Sequence, residues 1–379
     1  MRFTFMMPAD DLTGGNRVVA TYAKTLRARG HEVLVVSNAP DRPSLRERLR
    51  ALRHGQWSAL RPPPTAKQGH IALSGVPHKV LERPRPIGAQ DLPDADVLIA
   101  TWWETAVWMQ AMPAAKGHKV HLIQGFETWT GGDIKARVHA ALRLPNLKLA
   151  ISAGLKRDIE AELGDLGIGV VPNAVDLQQF DAPVRVRGEP PTVGFIYAQA
   201  PFKGADRCVR AIALARQTLP ELCVLAFGAD QPTPEWPLPE GTRYVCRPAQ
   251  DQLATLYASC DVWLFASRVD SFGLPILEAM ACRTPVIGVP IGAAPDLLAD
   301  GGGLLVGAGG VVMTEQELIE DMALAILALC HQPASAWQRM SQRAYAQSHS
   351  YSWDDATDLL LQSLDQEPER HGLAAHERS

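Results

Sequence analysis

Val269-Asp270-Ser271-Phe272-Gly273-Leu274-Pro275-Ile276-Leu277-Glu278 sets two carboxylates, Asp270 and Glu278, on either side of a glycine turn, with seven residues between them. The preceding run, Val262-Trp263-Leu264-Phe265-Ala266, is a short continuous apolar stretch of the kind that forms a buried strand. The following segment, Pro275 to Cys282, predicts a helix with proline at its favoured first position. The quoted stretch is therefore a strand-to-helix loop, and in an open parallel sheet ligands bind where such loops gather, outside the carboxyl ends of the strands. Asp270 is expected in that crevice and Glu278 about one turn into the helix. The backbone N–H groups of Phe272, Gly273 and Leu274 are expected to face an anion at the positive helix end. A carboxylate only accepts hydrogen bonds, so two of them beside an anion site suit a ligand that carries hydroxyls and phosphate, such as a nucleotide sugar. The simpler use of such acids is to complement the helix macrodipole.

Outward from this loop, the chain reads as two α/β halves. Phe3 to Met7 predicts a first strand and Arg17 to Arg29 a helix, with Val18, Val19, Tyr22, Ala23 and Leu26 at helical spacing and Gly30 ending it. His31 to Ser37 supplies a second strand, which completes a strand, glycine loop, helix, strand unit around Gly14-Gly15. Leu92 to Thr101, Lys119 to Gln124 and Leu147 to Ser152 read as further strand-containing segments of the same half. The pattern restarts at Thr192 to Tyr197, continues through a helix near Ala205 to Arg216 and returns at Leu222 to Gly228. Between the halves, the Pro- and Arg-rich segment Asp181 to Pro191 suits an exposed linker.

A chain of 379 residues exceeds the size at which a single core stops growing, so two domains are expected. Hydrophobic residues at 46%, charged residues at 21% and a formal net charge of -4 give no reason to expect nucleic acid as a partner. The cysteines at 208, 223, 246, 260, 282 and 330 form no C-x-x-C pair and suit small buried hydrophobes in a reducing compartment. The N-terminal apolar run is short and broken by Pro8, and no segment reaches transmembrane length; a cytoplasmic location is expected. Residues 42–67 are rich in Arg and Lys, with Leu45, Leu49 and Leu52 on one helical face, so either a solvated helix or peripheral contact with an anionic membrane would account for them.

The string V-D-S-F-G-L-P-I-L-E-A-M-A-C-R-T-P-V-I-G, from Val269 to Gly288, closely resembles the signature of family 4 glycosyltransferases. G-G-N-R-V-V-A followed by R-G-H-E-V, beginning at Gly14, resembles the N-terminal glycine loop of the same family. The resemblance implies a GT-B fold: two Rossmann-like domains facing a central cleft, here 1–180 on the acceptor side and 181–350 binding the nucleotide sugar. It also implies a crossover helix at 351–365, and residues 366–379 are expected to form a disordered tail. The activity implied is retaining transfer of a hexosyl group from a nucleoside-diphosphate sugar to a saccharide or lipid-linked acceptor, in cell-surface polysaccharide synthesis. Asp270 would then hold the sugar, Glu278 the ribose, and Gly14 and Gly15 would let the backbone approach the donor. Lys203-Gly204 resembles the family's K-G motif, whose lysine neutralises the leaving diphosphate. No metal cofactor is expected, because Lys203 and backbone amides would take that electrostatic role.

The chain departs from the family in two places. The usual Gly-Arg pair falls near Tyr197-Ala198, which removes a phosphate-binding arginine that Arg268 or Arg17 would have to replace, and Asp270 stands where Glu is commoner. His121 to Trp129 resembles the Q-D-Y-E stretch of bacterial rhamnosyltransferase-like members, though Gly125 and Phe126 depart from it; Glu127 there could orient an acceptor hydroxyl or stabilise charge on the sugar, or be a solvated loop acid. Asp94-Ala95-Asp96 satisfies D-x-D formally, but it precedes an apolar strand and suits a polar lead-in better than a metal site. Trp102, Trp103, Trp108 and Trp129 suit packing as well as sugar stacking. Two alternatives stay open: a non-catalytic GT-B binding or partner subunit, and a GT-B nucleotide-sugar epimerase.

Overall fold

Strand order decides where a site can form, and the chain builds two wholly parallel sheets. The computed structural model describes residues 1–40, 69–128, 131–307 and 313–376, with side chains to 366. The basic stretch 42–67 and Trp129 lie outside the described residues. By contacts the chain divides into two units, Met1–Ile151 with Ile159–Val171 and Thr357–Ser379, and Ser152–Asp158 with Pro172–Ala356.

The first unit holds β1 (Arg2–Met7), β2 (Glu32–Ser37), β3 (His78–Val80), β4 (Val97–Ala100), β5 (His118–Ile123), β6 (Leu147–Ala150) and β7 (Gly169–Val170). Their order is β3-β2-β1-β4-β5-β6-β7, every pair parallel. β4 and β6 are buried throughout, as helix-covered parallel strands are; β4 reads as an apolar run without alternation, whereas β6 buries Lys148, whose Nζ donates to the Leu144 and Asn146 carbonyls. The helix after β1 spans Gly14–Ala28 and buries Val18, Val19, Tyr22, Ala23 and Leu26. It starts three residues before the expected Arg17, because Gly14, Gly15 and Asn16 form its first turn. Its far end closes with Gly30 at φ 85°, where the His31 amide donates to Leu26 O and the Gly30 amide to Arg27 O.

The second unit holds β8 (Thr192–Ile196), β9 (Cys223–Gly228), β10 (Arg243–Cys246), β11 (Val262–Phe265), β12 (Val286–Gly288) and β13 (Gly303–Leu305), in the order β10-β9-β8-β11-β12-β13. All pairs are again parallel. Phe195, Val224, Leu264 and Ile287 of the sheet pack with Ile212 and Ile326 of the covering helices in one core. In each sheet the strand order reverses beside the first strand, between β1 and β4 and between β8 and β11. That reversal opens the crevice used for ligands in doubly wound folds.

Several expectations are corrected. The helix after β11 is Leu274–Ala281, so Pro275 occupies its second position rather than its first. This helix ends as the first one does, with the Thr284 amide donating to Ala279 O and the Arg283 amide to Met280 O, but the left-handed residue is Arg283 at φ 61°. A side chain in that region costs about 1–2 kcal/mol, which is why glycine is the usual choice. The segment 181–191 is not simply an exposed linker: Ala182 is buried, and Arg185 and the Gly188 amide both bond the buried carboxylate of Asp261. Cys208, Cys260, Cys282 and Cys330 are buried as expected, whereas Cys223 is exposed. The last helix runs Trp353–His376, beyond the expected limit of residue 365.

Candidate functional site

Glycine backbone fixes the second unit's site. Gly204 follows the short turn Pro201–Lys203 with φ 70°, and a Cβ there would stand 1.9 Å from the carbonyl oxygen of Ala266. Only a residue without a side chain lets the loop after β8 lie directly on the loop after β11. The contact carries Lys203 to Asp270, with Nζ 3.0 Å from Oδ2. The lysine side chain is 41% exposed and the carboxylate 15%, so the pair sits at the surface of the crevice with the acid tucked beneath.

Asp270 also shapes the turn behind it, its Oδ1 accepting the Phe272 amide at 3.2 Å. Gly273 follows at φ 89°, where a Cβ would meet Ile276 at 3.0 Å and Phe265 at 3.1 Å, and starts the helix Leu274–Ala281. The first-turn amides of a helix have no intrahelical acceptor, so this end presents donors and the positive end of the helix dipole. The turn is braced from outside: Ser152 Oγ donates to Ser271 O at 2.7 Å, and Gly292 packs on the Asp270 and Ser271 backbone where a Cβ would come within 2.6 Å of Asp270 O.

Glu278 lies one turn along this helix, 4% exposed, and its Oε2 accepts the Tyr257 hydroxyl at 2.7 Å. A buried carboxylate needs such donors, since an unpaired charge there is costly. Tyr257 carries no signal in the sequence, because its link to Glu278 is a tertiary contact. Ser152, Gly292 and Arg207 are equally silent.

Arg268, one substitute for the missing phosphate-binding arginine, is already engaged. It pairs with both oxygens of Asp206 at 2.7 and 2.8 Å, with Glu315, and with Pro201 O at 2.7 Å. Arg207 completes the network, holding Glu315 and donating to Ala266 O at 3.1 Å. These ion pairs clamp the Lys203 turn to the strand end, which is a positioning role. Arg17, the other substitute, belongs to the first unit's helix. Tyr197 and Ala198, where the family arginine would fall, lead to Gln199, whose amide donates to Asp230.

In the first unit, Gly14 and Gly15 begin the helix after β1, and neither adopts a positive φ. A Cβ on Gly15 would meet Gln124 Oε1 at 3.4 Å, an ordinary contact. Gln124 Nε2 donates to Thr101 O at 3.3 Å, while its Oε1 is buried without a hydrogen-bond partner. The β1 loop is pinned by Asp11, which accepts the Thr13 amide and Asn16 Nδ2, each at 2.8 Å. Burial pushes the Glu127 carboxyl above the usual carboxylate range. Trp103 is buried beneath the Arg137 guanidinium, 4.6 Å from the ring centre, and so serves packing. Asp94 is paired with Lys116 at 3.0 Å and Asp96 with Arg2 at 2.8 Å, as a polar lead-in to β4. Among the described residues no group of three His, Cys, Asp or Glu side chains could hold a metal ion, and no helix is long and apolar enough to cross a membrane.

Two parallel, doubly wound units, one with a lysine–carboxylate pair at its switch point, define a protein of the GT-B class. Residues 12–179 match the family model for "Glycosyltransferase Family 4" and residues 190–332 that for "Glycosyl transferases group 1". The chain belongs to the family 4 glycosyltransferases. Over 201 residues it is 31% identical to the D-inositol 3-phosphate glycosyltransferase of Mycobacterium avium, a stretch covering 48% of this chain and 45% of that protein. The chain thus spans less than half the length of the curated relatives it matches. The crystal structure of Anabaena HepE in complex with UDP-glucose matches 97% of this chain and 100% of its own with a TM-score of 0.71 at 17% identity. Sucrose-phosphate synthase from Thermosynechococcus elongatus matches 99% and 100%, with a TM-score of 0.69 at 17% identity. At such identities the likeness is one of fold.

Proposed function

We propose that the protein transfers a hexosyl group from a nucleoside-diphosphate sugar to a hydroxyl of a saccharide or lipid-linked acceptor, with retention at the anomeric carbon. The observation that carries this is the Lys203–Asp270 pair, 3.0 Å apart at the amino end of the Glu278 helix. A cation, a hydroxyl acceptor and orphan helix amides converge there, the set a diphosphate sugar needs.

On donor binding Lys203 turns from Asp270 to the diphosphate, and Asp270 is released to accept sugar hydroxyls. Glu278, held in place by Tyr257, binds the ribose. The bond from the anomeric carbon to the diphosphate oxygen breaks, Lys203 and the Gly273 and Leu274 amides stabilise the charge on the departing oxygen, and the acceptor oxygen bonds on the same face. The departing phosphate oxygen takes the acceptor proton, so no protein nucleophile is required, unlike in retaining glycosidases. Glu127, whose raised carboxyl affinity for protons suits hydrogen bonding in either state, orients the acceptor. No metal takes part in this scheme.

HepE was crystallised with UDP-glucose, so uridine diphosphate is the first nucleotide to test, beside GDP, dTDP and ADP. Calorimetry with wild type and Glu278→Ala, with and without EDTA, is expected to find one nucleotide bound independently of EDTA and weakened in the variant. Product NMR on the matching sugar donor then reads the anomeric configuration. An inverted product would overturn retention, and nucleotide binding without turnover on any acceptor would favour a binding subunit.

A further inference from the structure

The second unit contains a cavity of about 400 Å³ away from Lys203 and Asp270, lined by Arg185, Arg283, Arg339, Ser335, Gln338 and Gln342 among others. Three arginines enter its wall and no carboxylate does. Their charges are not equally available. Arg185 is neutralised by Asp261, Nη1 to Oδ1 at 2.8 Å, and lies 4.8 Å from the centre of the Trp337 ring.

Arg283 is different. It is 9% exposed, and no carboxylate among the described residues lies within ion-pair distance of it. Its Nε donates to Ala182 O at 2.7 Å, one Nη1 hydrogen to Gln342 Oε1 at 2.8 Å, and its plane lies 3.7 Å from the Tyr345 ring centre. These contacts aim the guanidinium and leave its charge unbalanced. The same residue occupies the left-handed position that closes the helix, where glycine would be free of strain. A strained backbone position and a buried cation without a counter-ion, in one residue on a cavity wall, point to a ligand rather than to stability. Arg339, exposed on the helix Ala334–Ser348, makes no ion pair among the described residues, and Ser335 stands in that helix's first turn.

We infer that this cavity binds a phosphate monoester of a small molecule. Two uncompensated guanidinium groups match the two negative charges of a monoester near neutral pH, and arginine forks present the paired donors that phosphate oxygens accept. The volume admits a phosphorylated metabolite but is small for a polymer segment. This site does not depend on the donor reading, because none of its lining residues takes part in that chemistry.

The test uses the full chain carrying Lys203→Ala, so that the proposed donor cation cannot report, titrated calorimetrically with inorganic phosphate and with phenyl phosphate. Saturable binding of phenyl phosphate with a dissociation constant of about a millimolar or tighter is expected. Adding Arg283→Gly, which suits the left-handed backbone, or Arg339→Gln is expected to weaken it about tenfold or more. Arg339→Gln, a surface change, decides the matter if Arg283→Gly does not fold. Absence of saturable binding, or unchanged affinity in either folded arginine variant, overturns the site.

Discussion

The first strand-to-helix loop of each unit solves the same problem differently. After β8, Gly204 is pressed on the Ala266 carbonyl at a distance no side chain could occupy, and the neighbouring Lys203 is thereby fixed beside Asp270. After β1, Gly15 faces only the end of the Gln124 side chain, at ordinary contact distance and without a left-handed backbone. One loop is set by backbone against backbone, which cannot yield; the other by backbone against a side chain, which can. The lysine–carboxylate pair stands on the rigid loop, and the softer one is pinned by Asp11 and bordered by Gln124, whose amide donates to Thr101 O.

The largest effect is expected from Gly204→Ala. Both the left-handed φ and the 1.9 Å approach oppose a methyl group, so a loss of about 3 kcal/mol or more in unfolding free energy should appear in urea titrations, with transfer abolished. An unfolding midpoint equal to wild type would show that the two loops can separate at little cost.

Lys203→Ala should leave that midpoint nearly unchanged, because an exposed ion pair contributes little. It is expected to lower kcat by about a hundredfold, the scale of one lost oxyanion donor. Loss in KM alone would indicate ground-state binding instead.

The first unit should be the more acid-sensitive in its interior. His121 of β5 is buried opposite Lys148 of β6; burial first and the lysine second push the imidazole down to about 3. Its folded value lies below the unfolded value of about 6.5, so the unfolded chain holds the extra proton between them. The contribution is present above about pH 6.5 and is lost toward pH 3, at about 1.4 kcal/mol per pH unit. His121→Phe should flatten that slope, as read by urea unfolding at pH 7 and pH 5; an unaltered slope would place the acid sensitivity elsewhere.

Tyr257→Phe removes one donor to the buried Glu278 and should cost about 1–2 kcal/mol while weakening nucleotide binding. The smallest effect is expected from Gly15→Ala, within about 0.5 kcal/mol, since its neighbour can shift. A loss comparable to that of Gly204→Ala would erase the contrast between the loops.

Much of this was legible in the chain itself. Continuous apolar runs gave the central strands, and restart of the strand–helix pattern at Thr192 gave two units. The glycines and carboxylates between Lys203 and Glu278 were readable because local rules govern loops and helix starts. Helix limits were less so: Gly14, Gly15 and Asn16, poor helix formers, are helical in the first turn, and Pro275 sits one position later than expected. A one-residue shift is decided by packing against the sheet rather than by propensity.

The sequence alone determined that the chain alternates strand and helix twice over and carries a lysine, a glycine turn and two acids in order, since these depend on neighbours along the chain. Only the tertiary structure decided that Arg268 is held by Asp206 and Glu315, that Glu278 is buried on Tyr257, and that Arg283 faces a cavity without a counter-ion. Those facts arise between residues far apart in sequence, where burial and the need to satisfy each charge, rather than spacing, choose the partner.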